Sequence, residues 1–213
     1  METLKEDKNG YVSEAQREVL VQLVTHPVIE GSFFLTGGTA LSVFYLNHRL
    51  SDDLDFFTLR PLDLGEIDFW IRTQWPKAAV KIKEGPQFLS LLIREVRVDF
   101  IVDPLSIDTI KNMLSNKLCA VVSRTEPKDF IDFYMLLKAF PNVEIEEMYE
   151  LSRMKDAIFD DPPTVAYQLE TGIAFIRENP SLVPKMLKQI DWEDFFEFYK
   201  NVAKWIYDLL KIR

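Results

Sequence analysis

The segment from Phe33 to Phe57, FFLTGGTALSVFYLNHRLSDDLDFF, limits what this chain can fold into more than any other stretch. It reads as strand, Gly-Gly turn, helix, polar crossover and strand. Side chains alternate along a strand at about 3.3 Å per residue, so Asp53 and Asp55 point the same way, about 7 Å apart. Leu54 and Phe56 point the other way, into a core. Gly37 and Gly38 let backbone N–H groups come close to phosphate, and the helix N-terminus that follows favours negative charge. Mg²⁺ takes one or two carboxylates plus substrate phosphates, so the pair and the turn together suit a metal-bound polyphosphate. Asp-x-Asp pairs on strand edges and Gly-Gly pairs in turns are each common without function. Their order here, with Thr39 opening an apolar helix, points to a site.

Composition narrows the chemistry. With 213 residues, 47% of them hydrophobic, the chain has enough apolar surface for one sizeable domain or two small ones. One cysteine, Cys119, excludes an internal disulfide and a cysteine metal cluster. Two histidines, His26 and His48, are too few for a His-rich centre, so a bound metal is expected to be Mg²⁺ or Mn²⁺ on oxygen ligands. His48 reads as a cap or surface residue. The polar start METLKEDKNG has no signal pattern and no apolar run reaches spanning length, so a cytoplasmic protein with no membrane partner is expected. The net charge of −9 means that a nucleic-acid acceptor would need a local basic patch. Lys77, Lys81, Lys83, Arg94 and Arg97 form a candidate rim, or an ordinary solvated sheet edge.

Periodicity supplies the rest of the frame. Tyr11 to Leu23 has helical spacing, with Ser13 and Glu14 fitting a helix start and His26-Pro27 ending it, then a loop over 27–32 and a short strand at 33–36. Thr39 to Asn47 reads as a helix with Leu41, Phe44 and Tyr45 inward. Asp63 caps a helix over 64–74, and strands follow at 78–83, 87–94 and 96–102, with a turn at Gly85-Pro86. In the last strand Val96, Val98, Phe100 and Val102 share the core face, and Arg97, Asp99 and Ile101 lie opposite. Beyond Asp103-Pro104 the pattern turns all-helical. Ser106 or Asp108 caps a helix to about 123 on which Cys119 reads as a small core residue. Asp129 opens another helix, ended by Pro141. Thr164 to Arg177 is helical, Pro180 and Pro184 flank a short helix, and Asp191 caps the last one, whose aromatic stripe reads as core.

Gly37-Gly38-Thr39-Ala40-Leu41, Arg49, Ser51 and Asp53-Leu54-Asp55-Phe56 together resemble the AbiEii/AbiGii-type nucleotidyltransferase toxins of the DNA polymerase β-like superfamily. Lys117-Leu118-Cys119-Ala120, Arg124 and Lys128-Asp129-Phe130-Ile131-Asp132 are similar to that family's third motif, with Lys128 where arginine is usual. The resemblance spans about residues 33–140. It implies an α+β fold, a polymerase β-like nucleotidyltransferase core of mixed or antiparallel sheet with helices, followed by a C-terminal helical bundle. The core would be residues 1–104, and residues 105–213 would pack on it and complete the nucleotide site.

It also implies Asp99 as a third carboxylate on the strand beside Asp53 and Asp55. The three would be catalytic and would hold Mg²⁺ or Mn²⁺ in a two-metal, NTP-dependent nucleotidyl transfer to an acceptor hydroxyl. Gly37, Gly38 and Thr39 would cradle phosphates. Arg49, Ser51, Lys117 and Asp129 would be nucleotide-binding. The nucleoside triphosphate is the substrate, tRNA or another RNA the implied acceptor, and a separately encoded antitoxin the implied partner of a type IV toxin–antitoxin or abortive-infection system. A protein hydroxyl as acceptor, and an NTP-binding regulator on the same fold, remain as alternatives. A metal-dependent phosphoesterase of another fold would want more histidine ligands.

Overall fold

A computed structural model describes residues 5–103 and 110–209. The chain divides into two compact units, Met1–Ile107 and Asp108–Arg213. The caps expected at Ser106 or Asp108, and the boundary expected at 104/105, lie outside the described residues.

The first unit is a five-stranded mixed sheet with helices, in the order β1-β2-β5-β4-β3. Helix α1 is Glu14–Leu23, and Ser13 caps it by accepting from the Gln16 N–H. The expected loop at 27–32 is instead a short helix, α2 (Pro27–Ser32). Proline at its first position costs nothing, since that N–H has no helical partner anyway, and Ile29, 1% exposed, anchors the turn. Strand β1 (Phe34–Thr36) leads straight into α3 (Gly37–Ala40), so the helix opens two residues before Thr39. From Leu41 to Leu46 the winding widens to a π-helix, and the Asn47 N–H reaches back to the Ser42 carbonyl at 3.0 Å. Leu41, Val43 and Leu46 are buried there, whereas Phe44 and Tyr45 are only half-buried. Asn47 ends the segment in the left-handed region, φ 45°.

Strand β2 is Leu54–Thr58, α4 is Leu64–Gln74, and β3, β4 and β5 are Ala79–Gly85, Phe88–Ile93 and Val96–Val102. The Asp63 carboxylate caps α4 by accepting from the Gly65 N–H at 2.9 Å. Strand alternation sets the two faces. Leu54, Phe56, Leu89, Leu91, Ile93, Val96, Val98 and Phe100 form one buried cluster with Val19, Leu20 and Leu23 of α1 and Ile67 and Ile71 of α4. Burying each such side chain contributes about 1.5–3 kcal/mol. The opposite face carries Asp55 and Phe57 of β2 and Arg97, Asp99 and Ile101 of β5. Strands β2 and β5 are parallel, and Phe56 stacks on its register partner Phe100 at 5.2 Å. The same register sets Asp55 beside Asp99 on the other face.

In the second unit α5 is Ile110–Ser123, α6 Pro127–Ala139, α7 Ile145–Arg153, α8 Pro162–Glu178 and α9 Trp192–Asp208. Pro127, not Asp129, opens α6, which puts Asp129 inside the first turn. The short helix expected between Pro180 and Pro184 is a single 3-10 turn, Pro180–Leu182. Asp191 caps α9 through the N–H groups of Glu193 and Asp194. The aromatic stripe is core: Phe195 and Tyr199 are fully buried, and the Tyr199 hydroxyl donates to the Phe130 carbonyl at 2.6 Å. Cys119 is only half-buried, shifted off the packed face of α5. No described helix is long and apolar enough to cross a membrane.

Candidate active site

The turn from β1 into α3 brings Gly37 against the aspartate strand. Thr36 pairs with Asp55 across the antiparallel β1–β2 ladder, and Gly37 follows with φ +70°. A Cβ on Gly37 would overlap the Asp55 carboxylate, so both backbone conformation and space require glycine. A Cβ on Gly38 would lie 2.5 Å from Ser51 Oγ and 2.6 Å from an Arg49 guanidinium nitrogen. Arg49 and Ser51 therefore pack beneath the glycine turn, 2% and 9% exposed, and Arg49 also donates to the Leu50 carbonyl at 2.8 Å.

Thr39 is fully buried, and its hydroxyl donates to the backbone carbonyl of Asp53 and, at 3.3 Å, to that of Ser51. The structure thus places Thr39 as a tie between the helix and the approach to the aspartates. His48, expected as a cap or surface residue, is fully buried just after the π segment.

Asp53 stands one residue before β2 and Asp55 is its second residue, both half-buried. Asp99 is the register partner of Asp55 on parallel β5, one strand spacing away, about 4.8 Å. Asp55 and Asp99 therefore share one face at one end of the β2–β5 pair, and Asp53 stands just before that end of β2. Asp99 is held from two sides. The Ser90 hydroxyl, fully buried on β4, donates to Asp99 Oδ1. The Arg97 guanidinium donates from Nε to Oδ1 at 3.2 Å and sets Nη2 3.1 Å from Oδ2. Asp99, through this hydrogen bond and its charge, raises the Arg97 pKa above the ordinary value, and Asp53 and Asp55 add to that.

These are all oxygen donors, the chemistry that suits Mg²⁺ or Mn²⁺, and Asp53 with Asp55 would supply the one or two carboxylates such an ion takes from protein. Among the described residues no three acidic, histidine or cysteine side chains already stand together as a metal centre. Asp99 faces Arg97 and Ser90 instead, so the fit is one of donor type and strand placement.

Two residues that hold this region escaped the sequence reading. Gln16 of α1 is fully buried, and its amide donates to the carbonyls of Ser51 at 2.8 Å and Asp52 at 3.0 Å. Its signal was legible: it falls on the apolar stripe with Val19, Leu20 and Leu23. Ser90 is the other, a small polar residue between Leu89 and Leu91 on the face opposite theirs.

The motif residues of the second unit form their own cluster. Lys117 Nζ lies 2.8 Å from both Asp129 Oδ1 and Asp132 Oδ2, and Arg124 Nε lies 2.8 Å from Asp129 Oδ2. Asp129 and Asp132 are fully buried. Burial pushes the Lys117 pKa down, but Asp132 and Asp129 outweigh it and hold it above the ordinary value. Burial likewise pushes Asp129 up, and Lys117 with Arg124 outweighs it and holds the carboxyl below the usual range.

The candidate basic rim is largely matched by acids. Lys81 pairs with Asp68 at 2.7 Å and Glu84 at 2.6 Å, Arg94 with Glu18 at 2.6 Å, and Arg97 with Asp99.

Residues 18–85 match the model of the family described as nucleotidyl transferase AbiEii toxin, type IV TA system. The matched stretch holds the glycine turn, Arg49, Ser51 and the aspartate pair, and ends before Asp99. Over 210 residues the chain is 26% identical to an uncharacterized protein of Aquifex aeolicus (strain VF5), covering 91% of this chain and 96% of that one. The fold is similar to a crystal structure from H. pylori of a protein provisionally designated a nucleotidyltransferase, with a TM-score of 0.54 at 17% identity. That alignment covers 94% of this chain and 98% of the other. The resemblance to the AbiEii nucleotidyltransferase toxins therefore holds, and it is carried by the segment that builds the glycine turn and the Asp53-Leu54-Asp55 run.

Proposed function

We propose that the chain transfers a nucleotidyl group from a nucleoside triphosphate to an acceptor hydroxyl, as the toxin of a toxin–antitoxin pair. The observation that carries this reading is the pairing of Asp55 with Asp99 on adjacent parallel strands, with Gly37 pressed against Asp55. The AbiEii match and the nucleotidyltransferase fold support it. Asp53, Asp55 and Asp99 would hold Mg²⁺ or Mn²⁺. Such a cation, when bound, neutralises triphosphate charge and lowers the pKa of the acceptor hydroxyl.

The remaining work falls to the chain's own groups. The backbone N–H groups at Gly37 and Gly38 would meet phosphate oxygens, at the end of α3 where partial positive charge collects. Thr39, Gln16, Arg49 and Ser51 hold the backbone around the aspartates, so the carboxylates are set before substrate arrives. Catalysis would rest on positioning and electrostatics. The implied acceptor is tRNA or another RNA. A protein hydroxyl is a second reading, favoured by one observation: Lys81, Arg94 and Arg97 of the rim are engaged by carboxylates.

The test is incubation of the purified protein with Mg²⁺, each α-³²P-labelled NTP and total tRNA, with Asp55→Ala as control. Label on tRNA with wild type and not with the variant is the expected result. Label on a protein band instead would move the acceptor to protein. Equal labelling by Asp55→Ala would overturn the site.

A further inference from the structure

We propose that Arg97 is a positioning residue that clamps Asp99 in the absence of a divalent cation, and that it gives up this carboxylate to take a phosphate oxygen of the nucleotide when cation and nucleotide bind. The proposal rests on the nucleotidyl-transfer reading and assigns a task to a residue outside the family's matched segment. Arg97 and Asp99 sit two residues apart on β5, on the same face, and Asp99 lies opposite Asp55. The guanidinium engages both Asp99 oxygens, at 3.2 and 3.1 Å. A carboxylate held on both oxygens by a guanidinium is not also an open ligand for a divalent cation, so the two cations compete for it.

The geometry makes the exchange easy on one side and harmless on the other. The Arg97 side chain is 48% exposed, against 11% for Asp99, so the arginine can leave without being pulled from a dry core. A pair with its cation half in water is screened more than a fully buried one. Asp99 keeps its aim after the exchange, because Ser90 holds Oδ1 from the neighbouring strand. A guanidinium fork matches phosphate as well as carboxylate, which a lysine ammonium does not. Once released, Arg97 stands on the face of Asp55 and Asp99, beside the Gly37 turn that would meet the triphosphate.

The experiment is a Mn²⁺ titration of the full chain followed by electron paramagnetic resonance, for wild type, Asp55→Asn, Arg97→Met and Arg97→Lys. It is repeated with a non-hydrolysable NTP analogue, whose own affinity is read by calorimetry. Without nucleotide, Arg97→Met is expected to bind Mn²⁺ about three- to tenfold more tightly, with Arg97→Lys in between. With Mn²⁺ saturating, Arg97→Met is expected to bind the analogue more weakly by a similar factor. Mn²⁺ binding that is lost in Asp55→Asn but unchanged or weaker in both Arg97 variants would overturn the clamp and leave the metal reading standing. Tighter Mn²⁺ with unchanged analogue affinity would overturn the transfer of Arg97 to phosphate. No Mn²⁺ binding by any of the four proteins would overturn both the clamp and the site beneath it. Melting curves for both Arg97 variants confirm the fold, and Arg97→Lys carries the test if Arg97→Met proves unstable.

Discussion

Two acid–base clusters, one in each unit, are built from the same kinds of side chain and differ in how deeply they are set. On the sheet, Asp99 is paired with a half-exposed arginine at the edge of an open face. In the helical unit, Asp129 and Asp132 are fully buried around Lys117, whose side chain is 14% exposed. Depth decides what each pair can do. A half-exposed pair holds weakly and can change partners, because water replaces whatever leaves. A buried pair cannot be opened cheaply, since either partner alone would be an uncompensated charge away from water.

The largest expected effect tests the buried cluster. Lys117→Ala removes the cation that Asp129 and Asp132 share, leaves Asp129 with Arg124, and should cost about 3–5 kcal/mol of stability. Hydrogen exchange followed separately in the two units checks it: lost protection in α5 and α6 with β2 and β5 unchanged is the expected pattern. A loss below 1 kcal/mol would mean that the cluster is as exchangeable as the one on the sheet.

The pH profile of the helical unit sharpens the same point. Asp129 is depressed when folded, so its contribution is present above the unfolded value of about 4 and is lost as pH falls through the folded one. Lys117 is raised when folded, so its contribution is present below about pH 10.4 and is lost as pH rises through its folded value. Urea midpoints of this unit should therefore form a plateau from about pH 5 to 10 with losses at both ends. Lys117→Ala should remove the alkaline loss.

Gly37→Ala is next in size. It sets a Cβ on the Asp55 carboxylate at a positive φ and should cost about 1–3 kcal/mol, read as a lowered melting temperature. The smallest effect on stability belongs to Asp99→Asn, below about 1 kcal/mol, because its ion-pair partner is half-exposed. Transfer activity should nonetheless fall at least about a hundredfold if Asp99 stabilises charge in the reaction. Equal losses of stability in Asp99→Asn and Lys117→Ala would erase the distinction between the clusters.

The strands were legible because alternation is a local signal. Leu54, Phe56, Val98 and Phe100 announce one face, and Asp55 and Asp99 fall on the other by counting. Helix α4 was legible for a similar reason: Asp63 caps it and Ile67 and Ile71 repeat at helical spacing. Short helix α2 was not, since a six-residue stretch with Pro27 and Gly31 and a single deeply buried residue, Ile29, has too little period to tell helix from loop. The burial of His48 was hidden too. A lone histidine after a helix end carries no local periodicity that would tell burial from exposure. Sequence placed Asp99 on the right face but could not show that Arg97 and Ser90 hold it, because two residues two apart on a strand do not reveal which way a long side chain leans. The ion pairs across the basic rim were equally out of reach, as Glu18 and Arg94 are far apart in the chain.

The π winding from Leu41 to Leu46 has a consequence for how the chain tolerates change in length. A π turn carries one residue more than the α turn it replaces. The run from Gly37 to Asp53 therefore holds a spare residue inside a helix rather than in the loop after it. A single deletion within that segment can be absorbed by relaxing to ordinary α winding, whereas a deletion in the loop would pull Arg49 and Ser51 from beneath Gly38. The helix thus serves as the slack in the line, and the loop under the aspartates is the part whose length is fixed.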